Sequence, residues 1–280
     1  MSRSDGTQVI SIWRRLDSIE HDNPNLNEET WRLIQPCRTY RFFGREVFIT
    51  QPSSSFWVYF LGIQTSTLGC LFLIDHMQQT SRVLWGIALV LWGVGALIAG
   101  TSYQAFGFQL KCKGRDRAIW TSWCEIVYLL LQQYSVSVMM VAIAFSCLSR
   151  VGQYWCISVA LLVSAAYTFT VLYGAFKPTK TLITFELMVN VCTPFIFFMI
   201  IVNSWRYYFY GTSIDLALLG VWFGLVVTMM AYNWYLKAGY TEKLWQRGKW
   251  FSENDVLHVV LIVWVFYLAT VVEPQIFDAI

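Results

Sequence analysis

The side chains best able to do chemistry in this sequence are two glutamates, a histidine and a glutamine that interrupt long apolar segments. They are Glu125, Glu186, His258 and Gln104. An ionisable group inside a membrane span costs about 2.5–3.5 kcal/mol on insertion scales, so its presence indicates a partner or a purpose. Carboxylate and imidazole groups can hold a metal ion, and all four side chains can hydrogen-bond a polar ligand.

Seven apolar segments must position these side chains. The chain has 280 residues, of which 56% are hydrophobic and 13% charged, whereas a soluble domain carries about 25% charged residues. Runs of about 18–25 apolar residues can each cross a hydrocarbon core of about 30 Å as a helix. The sequence therefore predicts an all-α, polytopic membrane protein, a seven-transmembrane-helix bundle with spans at residues 56–75, 83–110, 120–148, 154–176, 181–202, 213–236 and 254–272.

The basic residues predict an orientation. Seventeen of the twenty Lys and Arg lie in the N-terminal tail and in the second, fourth and sixth loops. Lys and Arg accumulate on the cytoplasmic side of membrane proteins. We therefore expect a cytoplasmic N-terminus and an external C-terminus, with a cytoplasmic segment at 1–54, the seven-helix domain at 55–273 and a short external tail at 274–280.

The N-terminal segment has a helical pattern of its own. Val9, Ile12, Trp13, Leu16 and Ile19 recur at helical spacing. Asn27 could cap a second short helix that runs through Ile34. The first helix could lie in the interface on an anionic leaflet, or it could pack under the bundle; the pattern fits both.

The polar residues of the spans share one depth. At 1.5 Å per residue they all fall within about 10 Å of the cytoplasmic edge. Several continue as stripes at helical spacing, which would be costly against lipid and should face the bundle interior. We predict a polar chamber near the cytoplasmic side, with candidate ligand-binding residues His258, Glu125, Glu186, Gln104, Asn254, Tyr128, Asn190 and Tyr232.

Simpler structural roles compete with this chamber. Hydrogen bonds between helices commonly hold membrane bundles together, at about 0.6 kcal/mol each. Ser252 and Asp255 have the spacing of a capping box. Asp215 lies at the outer edge, where we expect a solvated helix end, and Gly220 with Gly224 predicts a close helix contact.

Two cysteines flank the loop between the third and fourth spans. In an oxidising exterior, Cys147 and Cys156 could form a disulfide; otherwise they are buried free thiols. No CxxC pair and no close Cys/His pair occurs in the sequence, so the pattern contains no metal motif.

Two short motifs resemble a known superfamily. GTSYQAFGFQL (100–110) and FSENDVLHVVLIVW (251–264) are similar to the ends of spans two and seven in the CREST superfamily, which includes alkaline ceramidases and progestin/adiponectin-type receptors. The resemblance implies a seven-helix fold and, in many members, a zinc site formed by S-x-x-x-H, an aspartate and H-x-x-x-H. Here His258 matches the second histidine of the last motif, but Asn254 stands at the first. If Ser102 matches the serine, Phe106 stands where the second-span histidine would be; in the other alignment Gln104 takes that place.

The leading hypothesis is therefore a non-catalytic or degenerate CREST-like protein that binds a small molecule or lipid in the chamber. No cofactor is predicted, although His258, Glu125 and Glu186 would be the candidate ligands of a zinc ion. The alternatives are a metal-dependent lipid amidase or hydrolase, an ion or proton pathway, and a structural subunit of a membrane complex. We expect contact with a lipid bilayer, in a plasma, bacterial inner or organelle membrane, and no nucleic acid; a homo-oligomer stays open.

Overall fold

The computed structural model describes residues 12–279, which leaves Val9 of the N-terminal helical pattern outside the described residues. Seven of its helices are long and apolar enough to cross a membrane, consistent with an integral membrane protein. They cover Pro52–Ile74, Thr80–Ala105, Trp123–Cys147, Arg150–Phe176, Lys180–Tyr210, Ser213–Lys237 and Glu253–Gln275. The predicted number of spans is confirmed, and the predicted limits differ from these by a few residues at most ends.

The regular helices are labelled in chain order. The short α1 is Trp31–Ile34, and α2 is Pro52–Ile74. The second span comprises α3, Thr80–Ala99, and a π-helical turn, Gly100–Ala105, after which α4 covers Gly107–Lys111. The remaining helices are α5 (Trp123–Cys147), α6 (Arg150–Phe176), α7 (Phe185–Tyr210), α8 (Ser213–Lys237), the short α9 (Tyr240–Trp245) and α10 (Glu253–Tyr267). Helices α2, α5, α7 and α10 begin at what is called here the N-terminal end of the bundle, and the other end is the opposite end.

The second span ends earlier than predicted. Its π-helical turn is followed by Phe106, whose backbone (φ −116°, ψ 21°) leaves the helical region. The predicted end at residue 110 is therefore wrong, and Lys111 belongs to a separate short helix. After this break, Lys111, the last residue of α4, contacts Glu125 in the first turn of α5.

Small residues let the first two spans approach closely. A Cβ atom on Gly93 would lie 2.6 Å from the Ser66 nitrogen and 2.7 Å from the Gly62 oxygen, so only glycine fits there. In α8, the predicted close contact at Gly220 and Gly224 is confirmed: a Cβ on either would meet an aromatic ring of α10, that of Tyr267 or Trp264.

The N-terminal segment packs against the end of the bundle. Leu16, in a 3₁₀ helix over Ile12–Ser18, and Ile19 are buried in the main hydrophobic core. The Arg15 Nη1 donates to the Phe176 carbonyl at 3.0 Å, at the end of α6. Asn27 accepts backbone hydrogen bonds at its Oδ1 in the turn before α1.

A β-hairpin that the sequence analysis did not predict precedes the first span. Strands β1 (Cys37–Phe42) and β2 (Arg45–Thr50) pair antiparallel. Phe43 and Gly44 form the turn, both with positive φ (47° and 75°), as in the two-residue turns that match the twist of a hairpin. Only one residue, Gln51, separates β2 from α2.

The opposite end of the bundle is held by buried charges. Asp215 is fully buried and pairs with Arg206 at 3.1 Å, while Asn203 donates to its Oδ1 at 2.8 Å. The expectation of a solvated end at Asp215 is therefore wrong, because the guanidinium and amide donors replace water. Arg82 is likewise buried, with an ion pair to Glu273 beyond α10.

Candidate functional site

Glu125 lies in the first turn of α5 at the N-terminal end of the bundle, and it is fully partnered. Its side chain is buried, and the Lys111 ammonium lies 2.9 Å from Oε1. Ser102 donates to Oε1 at 2.7 Å, and Thr121 donates to Oε2 at 2.9 Å. We call Ser102, Lys111, Thr121 and Glu125 the Glu125 network. Both carboxylate oxygens are used by the protein itself.

Lys111 is the residue of this network that sequence reasoning missed. It was counted as a loop charge, yet its side chain is buried, with the ammonium 5.1 Å from the Tyr103 ring centre. A lysine stem can lie along apolar surface while its head reaches a partner. The signal that could have found it is the position of Lys111 immediately after an apolar run, together with an unpaired carboxylate predicted at the same depth.

Five of the other candidate residues do not join Glu125. Gln104 is buried in the π-helical turn, and Asn254 and Tyr232 are half-buried. Glu186 and Asn190 are exposed on α7, although we expected them to face the interior. None of these five lies along the wall of the cavity described next. A shared depth therefore did not place the candidates in one chamber.

The remaining two, His258 and Tyr128, line a cavity of about 460 Å³. Its wall is formed by α2, α3, α5, α7, α8 and α10 and is mostly apolar. The polar residues along it, besides Cys192 and Trp92, are Tyr128, Gln132, Thr193, Thr228, Asn233 and His258. No Asp, Glu, Lys or Arg occurs among the described residues that line it. The volume falls within the range of about 300–1,000 Å³ that is typical of small-molecule sites.

Two polar atoms in this wall have no partner within the described part of the chain. They are His258 Nδ1 and Gln132 Oε1, both on side chains that are more than nine-tenths buried. A buried polar group without a hydrogen bond costs about 1–3 kcal/mol. These two residues of the wall therefore keep an unused hydrogen-bonding atom, whereas both oxygens of Glu125 are used.

The cavity opens sideways. Four of its lining residues are exposed, Phe197 on α7 and Val226, Met230 and Asn233 on α8. Phe197 and Val226 lie near the middle of two neighbouring helices, each long enough to span a bilayer. Met230 and Asn233 follow Val226 along α8 toward the N-terminal end of the bundle. The cavity is therefore open between α7 and α8 from mid-span, where lipid chains would lie, toward the N-terminal end of the bundle.

Asp255 in the first turn of α10 has a structural role. The capping box with Ser252 is present, as predicted. Ser53 and Ser54 of α2 also donate to Asp255, at 2.7 and 3.1 Å. The same carboxylate therefore caps α10 and ties it to the start of the first span.

No three His, Cys, Asp or Glu side chains in the described residues lie close enough together to hold a metal ion. His258 lies on the cavity wall, Glu125 is bound by Lys111, and Glu186 is exposed. The donors that sequence analysis named for zinc thus stand in three different surroundings.

Cys147 and Cys156 are free and buried in the structure. The Cys147 Sγ lies 3.8 Å from both Asp215 Oδ1 and Asn203 Nδ2. It therefore belongs to the buried polar cluster around Asp215 at the opposite end.

Comparison with known proteins adds no relative to these observations. No protein-family model, no curated protein and no solved structure matches the chain.

Proposed function

We propose that this protein binds an uncharged lipid or lipid-like small molecule in the cavity between its helices, without a catalytic metal. The observation that carries the proposal is the apolar cavity of about 460 Å³ with the unpartnered His258 Nδ1 and Gln132 Oε1 in its wall. An apolar wall favours a hydrocarbon chain, and a few polar groups fix the position of a head group.

The charge of the wall selects among ligands. A buried carboxylate, phosphate or ammonium without an ionic partner costs several kcal/mol, and the described wall offers none. Gln132 Oε1 can only accept, so it calls for a ligand hydroxyl or N–H. Hence the favoured ligand has an apolar chain and an uncharged head group that donates hydrogen bonds.

The opening between α7 and α8 supports entry from the bilayer. A ligand with a long apolar chain is dissolved in the membrane, so a lateral opening at mid-span gives it direct access.

The kinship with CREST-type proteins, the cytoplasmic N-terminus and the non-catalytic role are parts of the same proposal. They rest on the two short motifs, on the distribution of Lys and Arg, and on the pairing of Glu125 with Lys111.

The test uses a pair of probes with the same fluorescent acyl chain, a monoacylglycerol and the free fatty acid. In detergent at pH 7, we expect saturable binding of the monoacylglycerol and much weaker binding of the ionised acid. Equal binding of both, or none, would contradict the proposal.

Two tryptophan variants locate the binding. Thr193→Trp places bulk on the cavity wall, where Thr193 is half-buried, and should abolish binding. Ile201→Trp is the matched control on the same helix, because Ile201 is exposed and does not line the cavity. Equal loss in both variants would place the probe on the outer surface of α7.

A further inference from the structure

The two faces of the β-hairpin differ in what they contact. Directly paired residues of an antiparallel hairpin lie on the same face. Phe48, which pairs with Thr39, packs its ring 4.9 Å from that of Phe108, so this face is turned to the protein. The other face carries Arg38 paired with Ile49 and Tyr40 paired with Val47; Arg38 and Tyr40 are exposed, and Val47 and Ile49 are half-buried.

The hairpin is held level with the ends of the first two spans. Strand β2 ends at Thr50, two residues before α2 begins at Pro52. Gln109 Nε2 of α4, just beyond the second span, donates to the Phe48 carbonyl at 2.6 Å. Both attachments are at the N-terminal end of the bundle, where a bilayer surface meets the protein.

Large apolar side chains extend from the hairpin and from α1 beside it. Phe43 at the turn is 96% exposed, and Leu33 of α1 is 85% exposed. The turn geometry does not require phenylalanine, because a positive φ at this position favours Asn, Asp or Gly. An aromatic side chain here fits contact with an apolar or interfacial phase.

The same segment is basic. Residues 31–50 contain four Arg and one Glu, a net charge of +3. The Glu46 carboxylate pairs with Arg41 at 3.2 Å, and Arg32 and Arg38 are exposed with no ion pair in the described part of the chain. Guanidinium groups pair bidentately with phosphates, and each basic residue near an anionic leaflet contributes about 1 kcal/mol.

We propose that the hairpin docks on the head-group layer of an anionic leaflet of the membrane that the bundle spans. The docking surface consists of Arg32, Leu33, Arg38, Tyr40, Phe43, Val47 and Ile49. Its arginines bind lipid phosphates while its aromatic and aliphatic side chains enter the acyl boundary, as amphipathic interfacial elements do. This interaction is independent of what the cavity binds.

The test places a polarity-sensitive fluorophore on Phe43→Cys in the full chain, reconstituted in nanodiscs. Cys70→Ser removes an exposed native thiol from every variant. One set of discs contains phosphatidylcholine alone, and the other contains phosphatidylserine as well. We expect a blue shift and quenching by nitroxide-labelled lipid that are stronger with phosphatidylserine and are reversed by high salt.

Controls separate docking from general proximity to the disc. Lys113→Cys, exposed in the loop after α4, should keep water-like emission in both lipids. Arg32→Gln combined with Arg38→Gln should abolish the phosphatidylserine dependence of the Phe43→Cys signal. Leu33→Cys gives a second reporter on the same surface, so that misfolding of one variant leaves the test intact.

Water-like emission at both reporters in both lipids would overturn the proposal. Protection that is absent at one protein per disc and appears only with two would assign the surface to a second copy of this chain. Lipid quenching that is equal with and without phosphatidylserine would also contradict it, because the arginines would then bind no anionic head group.

Discussion

The Glu125 network and the cavity lie beside each other, but they differ in whether their polar atoms have hydrogen-bond partners. In the network, both oxygens of Glu125 accept hydrogen bonds from the protein. In the cavity wall, His258 Nδ1 and Gln132 Oε1 have no partner in the described residues. The carboxylate is therefore held by the protein itself, whereas the two groups without a partner are an imidazole and an amide. Glu125 and His258 were predicted at one depth, so hydrogen-bond partnering, and not depth, is what distinguishes these two regions.

The two regions meet through a pair of tyrosines. Tyr103, beneath the Lys111 ammonium, packs edge-on against Tyr128 with ring centres 6.1 Å apart, and Tyr128 lines the cavity. The network can thus support the cavity wall without touching a ligand.

Breaking the ion pair of the network should have the largest effect on stability. Lys111→Met leaves a buried carboxylate without its cation and should lower the free energy of unfolding by about 3–5 kcal/mol. The double variant Lys111→Met/Glu125→Gln should recover most of that loss, because no uncompensated charge is left. Unfolding by SDS in mixed micelles measures both. Equal stability of the single and double variants would contradict a structural role for the pair.

Removing the vacant groups of the cavity should change binding more than stability. His258→Leu and Gln132→Leu each delete an unpartnered polar atom, so the free energy of unfolding should be unchanged or slightly higher. Affinity for the fluorescent monoacylglycerol should fall by about tenfold, which corresponds to about 1.4 kcal/mol for a lost hydrogen bond. Fluorescence titration gives the affinity. A large loss of stability in either variant would show that its side chain has a partner within the protein.

Removing the N-terminal cap of α10 should have a smaller effect on stability. Ser252→Ala removes one donor to Asp255 and a capping side chain, and it should cost about 1 kcal/mol. Binding of the monoacylglycerol should be unchanged, since Asp255 does not line the cavity. Micellar SDS unfolding and the same titration check this. Altered affinity would mean that the start of α10 positions His258.

The smallest expected effect is the pH dependence of stability that His21 causes near the Glu125 network. Burial, reinforced by the nearby Lys111 ammonium, lowers the pKa of His21 from its ordinary value of 6.5. The unfolded chain then binds a proton more readily than the folded one, so stability should be full above pH 6.5 and fall as pH drops through that value. His21→Gln should flatten this part of the profile, as measured by unfolding between pH 5 and 8. A profile identical to that of the unsubstituted protein would rule out His21 as its source.

The sequence predicted the spans well because hydropathy over about 20 residues is a local property. It could not predict that Lys111 reaches Glu125, because that contact depends on the break at Phe106 and on the path of the following loop. Asp215 was expected in water for the same reason: its cation, Arg206, lies on the preceding helix. The hairpin did leave a signal, since CRTYRF and REVFIT are rich in β-branched and aromatic residues and have a turn glycine between them.

The candidate site was predicted in part. His258 and Tyr128 line the cavity, whereas Gln104, Asn254, Glu186, Asn190 and Tyr232 do not. Helical spacing defines a face of one helix, but it does not define which neighbour covers that face. The sequence could not identify the mostly apolar residues of the wall, such as Leu225 and Met188, because they have the same residue types as other lipid-facing or core positions.

Native mass spectrometry of the purified protein tests the central claim most directly. We predict that the unsubstituted chain and Lys111→Met/Glu125→Gln retain the added monoacylglycerol, and that Thr193→Trp does not. Retention by Thr193→Trp, together with loss in Lys111→Met/Glu125→Gln, would contradict the account and place the ligand at the Glu125 network.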